Sequence, residues 1–233
     1  MHRIEDGRGS NPNQVYRNSQ SEWDAARNIK ESSIIFTCSM SDFFIEEADQ
    51  WRDEAWNVIR ETPQHHWVIL TKRPERIKES LPSDWGEEGY ANVWLGVSVA
   101  DESEIHRVDT LNALKSDKSK FLTVVSVEPL VGEIDFINKT QSFAKTDWVI
   151  IGGESGNEYG KYKYRPCKLS WIRSVIGQCY YLGVPVFLKQ LGTHLAKELK
   201  MTDWKKGEDD FDEWDNTYKV REYPKSYKGP KTY

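Results

Sequence analysis

Six times along the chain, a short apolar run ends abruptly in polar or glycine residues, and a helical stretch usually follows. The first three runs are Ile34-Ile35-Phe36-Thr37 before Cys38, Trp67-Val68-Ile69-Leu70 before Thr71-Lys72-Arg73, and Val93-Trp94-Leu95-Gly96-Val97 before Ser98. Residues 121–125 precede Ser126-Val127-Glu128-Pro129, residues 148–151 precede Gly152-Gly153-Glu154-Ser155-Gly156, and residues 184–188 precede Lys189-Gln190. Unbroken apolar runs of this length suit strands buried on both faces, as in a parallel sheet with helices outside. Alternation with helices implies right-handed βαβ units. The expected class is therefore α/β, either an open doubly wound sheet or an incomplete (β/α) barrel; periodicity alone does not decide between them. In both, chemistry gathers at the carboxyl ends of the strands, where the loops converge.

A chain of 233 residues suits one large α/β domain better than two small ones. Its net charge of -5 argues against a chain devoted to neutralising duplex phosphate, although a local basic face remains compatible with it. No apolar stretch approaches a membrane span, and residues 1–32 are too polar for a signal-peptide core. Cys38, Cys167 and Cys179 are odd in number and far apart, so no disulfide framework is implied and a cytoplasmic location is expected.

Residues 1–32 read as a polar extension without sustained period, residues 33–192 as the (β/α) region, and residues 193–233 as an aromatic, charged tail that packs by its rings or stays mobile. Between the strands, helices are expected over about 46–61, with Trp51, Ala55, Val58 and Ile59 inward, and over 74–80 behind Pro74. Further helices are expected after Ser103 as a cap and over about 170–182, ended by Gly183 and Pro185. Most tryptophans fall where core packing explains them.

The residues suited to chemistry sit at the strand ends. Lys72 and Arg73, beside a proline-initiated helix, suit a phosphate or carboxylate, or else Arg73 simply pairs with an acid. Glu128, between a strand and a proline, suits an acid, base or amine ligand, or half of a structural ion pair. Asp42 suits capping the following helix better than binding. Gly152 and Gly153 permit close backbone approach to a ligand or merely a tight turn, and Glu154 follows them. The spacing is not that of a nucleophile elbow, a Walker loop or a dinucleotide fingerprint. Lys189, followed by Gln190, suits a buried amine or a counter-charge to Glu128 or Glu154, and Arg165 could close over an anion. His65 and His66 are adjacent, with no local metal-ligand spacing, so no metal residue is assigned.

Seven ordered blocks resemble one known family. They are Ile35 onward through Phe44, Leu70-Thr71-Lys72-Arg73-Pro74, Trp94-Leu95-Gly96-Val97-Ser98, Ser126-Val127-Glu128-Pro129-Leu130, residues 148–156, Tyr164-Arg165-Pro166, and Phe187-Leu188-Lys189-Gln190-Leu191-Gly192. The chain is similar there to the bacteriophage gene-product-thirty-seven-like group, a domain of unknown function found in phages, prophages and bacteria. Similarity is weaker at Trp214 and Val220-Arg221-Glu222.

The resemblance implies an incomplete (β/α) barrel of the radical S-adenosylmethionine type. In full-length relatives it implies a cysteine motif holding a [4Fe–4S] cluster that binds S-adenosylmethionine. This sequence carries no such motif, so it is expected to bind no cluster and to be inactive as written. Its first strand is expected to leave an open edge unless residues 1–32 cover it, with a complementing N-terminal segment or partner chain as occupant. Catalytic groups would be Glu128, Glu154 and Lys189; ligand-binding groups would be Asp42, Lys72, Arg73, Ser98, Gly152, Gly153, Arg165 and Gln190. Lys72, Arg73, Glu128, Glu154 and Lys189 are expected to share one pocket for an anionic or zwitterionic small molecule. Two rivals stand beside this reading: a cofactor-independent enzyme or binding protein for such a molecule, and a nucleic-acid-associated module using Lys72, Arg73, Arg76 and Arg165.

Overall fold

The computed structural model describes residues 15–38, 41–161, 163–201 and 214–229. All six expected strands form: β1 (Ile34–Phe36), β2 (His66–Thr71), β3 (Val93–Ser98), β4 (Leu122–Val127), β5 (Trp148–Gly152) and β6 (Val186–Gln190). They are ordered β1-β2-β3-β4-β5-β6 in one sheet. The registered neighbours are parallel, for example Ile34 beside His66, Trp67 beside Val93, Val124 beside Trp148 and Val149 beside Val186. A doubly wound sheet reverses its strand order at a switch point, and this order never reverses. Of the two architectures open to the sequence, the strand order is that of an incomplete (β/α) barrel.

The chain divides into two compact units, one of Met1–Val97, Ala113–Leu122 and Lys228–Tyr233, the other of Ser98–Asn112 and Thr123–Tyr227. In the first, β2 and β3 are buried almost throughout. Helix α2 (Asp49–Glu61) turns Ala55, Trp56, Val58 and Ile59 inward, together with Arg52. Trp51 is only half-buried, which corrects the expected inward face by one position. Arg52 spends its guanidinium on the Phe43 and Ile45 carbonyls and on Asp49, so a buried cation is satisfied at the helix start. Trp56 packs between Phe43, Trp85 and Tyr90 and donates its indole N–H to the Ser80 carbonyl at 2.9 Å.

The stretch read as a polar extension contains a helix, α1 (Gln20–Asn28), packed on α2. Its apolar signal is slight because only Ala26 is buried; it is started by Glu22, whose carboxylate takes the Ser19 N–H and hydroxyl at 3.0 Å each. Buried His65 reaches across to the Ala26 carbonyl at 3.0 Å. Residues 1–14 of that extension lie outside the described residues. Helix α1, β1 and α2 line an apolar cavity of about 300 Å³, and Phe36 at the β1 edge is 40% exposed. Two 3-10 turns, Pro74–Arg76 and Lys78–Ser80, replace the single helix expected behind Pro74.

In the second unit, Asp101 and not Ser103 caps the segment after β3: its carboxylate accepts the Ser103 N–H at 2.9 Å and the Ser103 hydroxyl at 2.6 Å. One 3-10 turn then leads into α3 (His106–Asn112). A short helix α4 (Phe136–Lys139) follows β4. Helix α5 (Leu169–Leu182) buries Ile172, Val175, Ile176 and Cys179, as its pattern predicts, and ends at Gly183 in the left-handed conformation, φ +68°. The order expected to weaken after Thr193 continues instead as α6 (Gly192–Glu198).

The described part of the tail packs by its rings. Trp214, Tyr218, Val220 and Tyr227 are buried, and Tyr223 stacks on Trp148. The Leu188 N–H donates to the Val220 carbonyl, and the Glu222 N–H to the Val186 carbonyl, each at 2.9 Å. This short antiparallel pairing, centred on Phe187 and Arg221, covers the outer edge of β6. Residues 202–213 of the tail lie outside the described residues.

Candidate functional site

In the second unit, three neighbouring parallel strands deliver a glutamate, a Gly-Gly-Glu turn and a lysine to one level. Glu128 follows β4 directly, before a cis bond to Pro129; Gly152 ends β5; Lys189 and Gln190 are the last residues of β6. Strand β6 runs two residues further than its apolar stretch suggests, so Lys189 and Gln190 belong to the sheet and not to a following loop. A register shift after Ile151 sets Gly152 beside Gln190.

The Lys189 ammonium lies 2.9 Å from Glu128 Oε1. Both side chains remain partly open to solvent, 37% for Lys189 and 24% for Glu128. A β-carbon on Gly152 would stand 3.1 Å from the Glu128 carboxyl carbon, so the missing side chain leaves space for that carboxylate. A β-carbon on Gly153 would stand 2.0 Å from the Leu191 carbonyl oxygen, and Gly192 (φ +80°) would collide in return with Gly153. The close approach these glycines permit is to Glu128 and to the backbone entering α6.

Gln190 is buried, and its amide donates to the Gly153 carbonyl at 2.8 Å and the Ser155 hydroxyl at 3.0 Å. The Thr193 N–H donates to the Glu154 carbonyl, and the Gly156 N–H to the Thr193 hydroxyl. The glycine turn is thus held from three sides. Glu154 receives three hydrogen bonds from Arg165: the backbone N–H at 2.7 Å, Nε at 2.9 Å and a terminal nitrogen at 2.8 Å. These bonds hold the Glu154 carboxyl below the usual glutamate range and push Arg165 up. Asp101 and Glu104 add to the field around Arg165. The Ser98 carbonyl accepts from Arg107 at 2.8 Å, and Arg107 pairs with Glu104 at 2.9 Å.

In the first unit, Asp42 gathers the polar groups around the end of β2. Buried Asp42 accepts from the Phe44 N–H at 2.9 Å, the Thr71 hydroxyl at 2.7 Å, the Lys72 N–H at 3.0 Å and Arg73 at 2.9 Å. It does not cap α2: Ile45 precedes the first helical turn, with no side-chain cap. An aspartate two residues before a free N–H closes an Asx turn, and here the same carboxylate also ties down the end of β2. Arg73 has the acid partner foreseen for it, while the Lys72 side chain is exposed.

Sequence reasoning missed Ser155, Thr193 and Arg221. The first two act only through their positions beside Gln190 and the glycine turn, which no local pattern announces. Arg221 donates to the Leu188 and Lys189 carbonyls at 3.4 and 3.2 Å, and its guanidinium lies over Phe187 and Trp214. The only advance signal for it was the short Val220-Arg221-Glu222 block.

Parallel strands in sequence order, with paired charges at the carboxyl ends of β4, β5 and β6, define an α/β protein of the incomplete-barrel type. The family described as protein of unknown function (DUF5131) matches residues 2–219, and the chain belongs to it. Comparison with curated proteins gives no match. No helix among the described residues is long and apolar enough to cross a membrane.

Proposed function

We propose that this chain is a phage- or prophage-type relative of the radical S-adenosylmethionine enzymes whose strand-end site binds a zwitterionic or anionic small molecule. The observation that carries the reading is the pair Glu128–Lys189, half-open to solvent at the ends of β4 and β6, with Glu154–Arg165 at the end of the strand between them. Ion pairs with open faces exchange partners at modest cost, so a ligand acid can replace Glu128 on Lys189 while its amine takes Glu128. The seven sequence blocks and the barrel-type strand order support the kinship.

A [4Fe–4S] cluster needs three neighbouring thiolates. Cys167 and Cys179 are buried and their thiols are pushed up by burial, Cys167 to about 12; burial also raises half-buried Cys38. Among the described residues no three His, Cys, Asp or Glu are grouped to hold a metal ion. Thiols so buried and so far apart in sequence support a reading of this chain without the cluster. What its own groups supply is charge recognition, with Gly152 and Gln190 fixing the positions of Glu128 and the glycine turn.

Titration calorimetry with methionine as the zwitterion and pyrophosphate as the anion tests the proposal. Binding is expected for at least one of them, weakened about ten-fold or more by Lys189→Met and, for methionine, by Glu128→Gln, because each removes a charge-assisted bond. No heat with either compound, or equal affinity in the variants, overturns it.

A further inference from the structure

Between β5 and α5 the chain carries a run of net positive charge. Residues 157–168 carry Lys161, Lys163, Arg165 and Lys168 against the single acid Glu158, within a chain of net charge -5. Glu158 is itself paired with Lys197 of α6. Lys161, Lys163 and Lys168 lie at the surface, while Arg165 is held by Glu154. The Tyr164 N–H donates to the Asn157 carbonyl at 3.1 Å and the Lys163 N–H to the Gly160 carbonyl at 3.3 Å, so the chain closes a small loop with Gly160 at φ +83°. Its base is fixed by Arg165 on Glu154 and by Tyr164 against His194. Its tip lifts Tyr159 to 82% exposure, with Lys161, Lys163 and Lys168 also exposed.

We infer that this loop is a docking surface for single-stranded nucleic acid, with Tyr159 stacking on an unpaired base and Lys161, Lys163 and Lys168 meeting phosphates. The inference is independent of the small-molecule site, because none of these four side chains contributes to it. An exposed ring on an anchored loop loses little freedom on binding, and a ring interleaved with cations is the recurrent means of holding single strands without sequence preference. A duplex would leave the ring nothing to stack on. A membrane surface would require an apolar wedge, and Tyr159 is the loop's sole exposed large apolar side chain among the described residues.

Fluorescence anisotropy with a labelled oligothymidine of about 20 nucleotides, at about 50 and 200 mM salt, tests this. Binding is expected, falling steeply between the two salt concentrations. Tyr159→Ala should weaken it about ten-fold while Tyr159→Phe retains it, the low end of what one base–ring stack contributes. Each Lys→Gln change at 161, 163 or 168 should lower the logarithmic salt slope by about 0.7. Three outcomes overturn the inference: no oligonucleotide binding at low salt, equal binding by Tyr159→Ala, or binding to phosphatidylserine vesicles or polyglutamate at least as tight as to the oligonucleotide. Methionine titration of Tyr159→Ala should match the parent chain, which separates failure of this surface from failure of the strand-end site.

Discussion

At the scale of residues, the strand-end charges of the second unit come in pairs, and the Glu154–Arg165 pair gives the sharpest consequence. Arg165 holds the Glu154 carboxyl below its ordinary range, so the unfolded chain binds that proton more tightly than the folded one. The pair's contribution is therefore complete above the ordinary glutamate value and fades as pH falls through the lower folded value. Its size is at most about 1 kcal/mol, because Arg165 is more than half exposed and water screens the pair. Glu154→Gln should lower the melting temperature at pH 7, and the gap should close in acid; a gap independent of pH would refute the assignment. Glu128, Glu154 and Lys189 could be picked out because each stands at or just past the end of an apolar run, and Arg165 by its place in the short Tyr164-Arg165-Pro166 block. Their pairing could not, since a sequence offers Lys189 two glutamates and does not say which lies within reach. Only the register of β4, β5 and β6 decides for Glu128.

At the scale of elements, strands were easier to read than helix starts. A buried strand announces itself by an unbroken apolar run, whereas α1 buries one alanine and is begun by a glutamate bonding back to Ser19. Asp101 and Ser103 both suit a cap, and the choice between them depends on which carboxylate folds over which N–H, a matter of one turn. The glycines show the same limit. Gly153 lies against the Leu191 carbonyl, and Gly177, inside α5, has open space where a β-carbon would go. Both look alike in sequence, yet Gly153→Ala should cost about 3 kcal/mol or more, because backbone must move on both sides. Gly177→Ala should instead stabilise by about 0.5–1 kcal/mol by relieving a flexible residue in a helix. Urea melts of the two variants should shift in opposite directions; a shared sign would mean that the entry to α6 is placed differently.

At the scale of the whole molecule, alternation of strand and helix carried most of the architecture, and the aromatic tail carried a part that alternation could not show. Residues 214–227 contain no apolar run, because they contribute rings and two backbone pairings to β6 and not a strand of their own. Removing everything after Met201 should expose Trp148 and Phe187 and cost about 3 kcal/mol or more. Hydrogen exchange at Val186 and Leu188 should quicken in that variant, and an unchanged urea midpoint would count against the tail as a structural part. The same pairing has a directional consequence. Parallel sheets grow by adding another strand alongside the last, in the same sense. Here the row of β6 backbone groups that a newcomer would need is already engaged by Val220 and Glu222, running the opposite way, and Trp148 is tethered to the Glu222 carbonyl at 2.8 Å. Along Val186–Leu188 that edge of β6 is already taken, so a strand added there would first have to send this segment along another path.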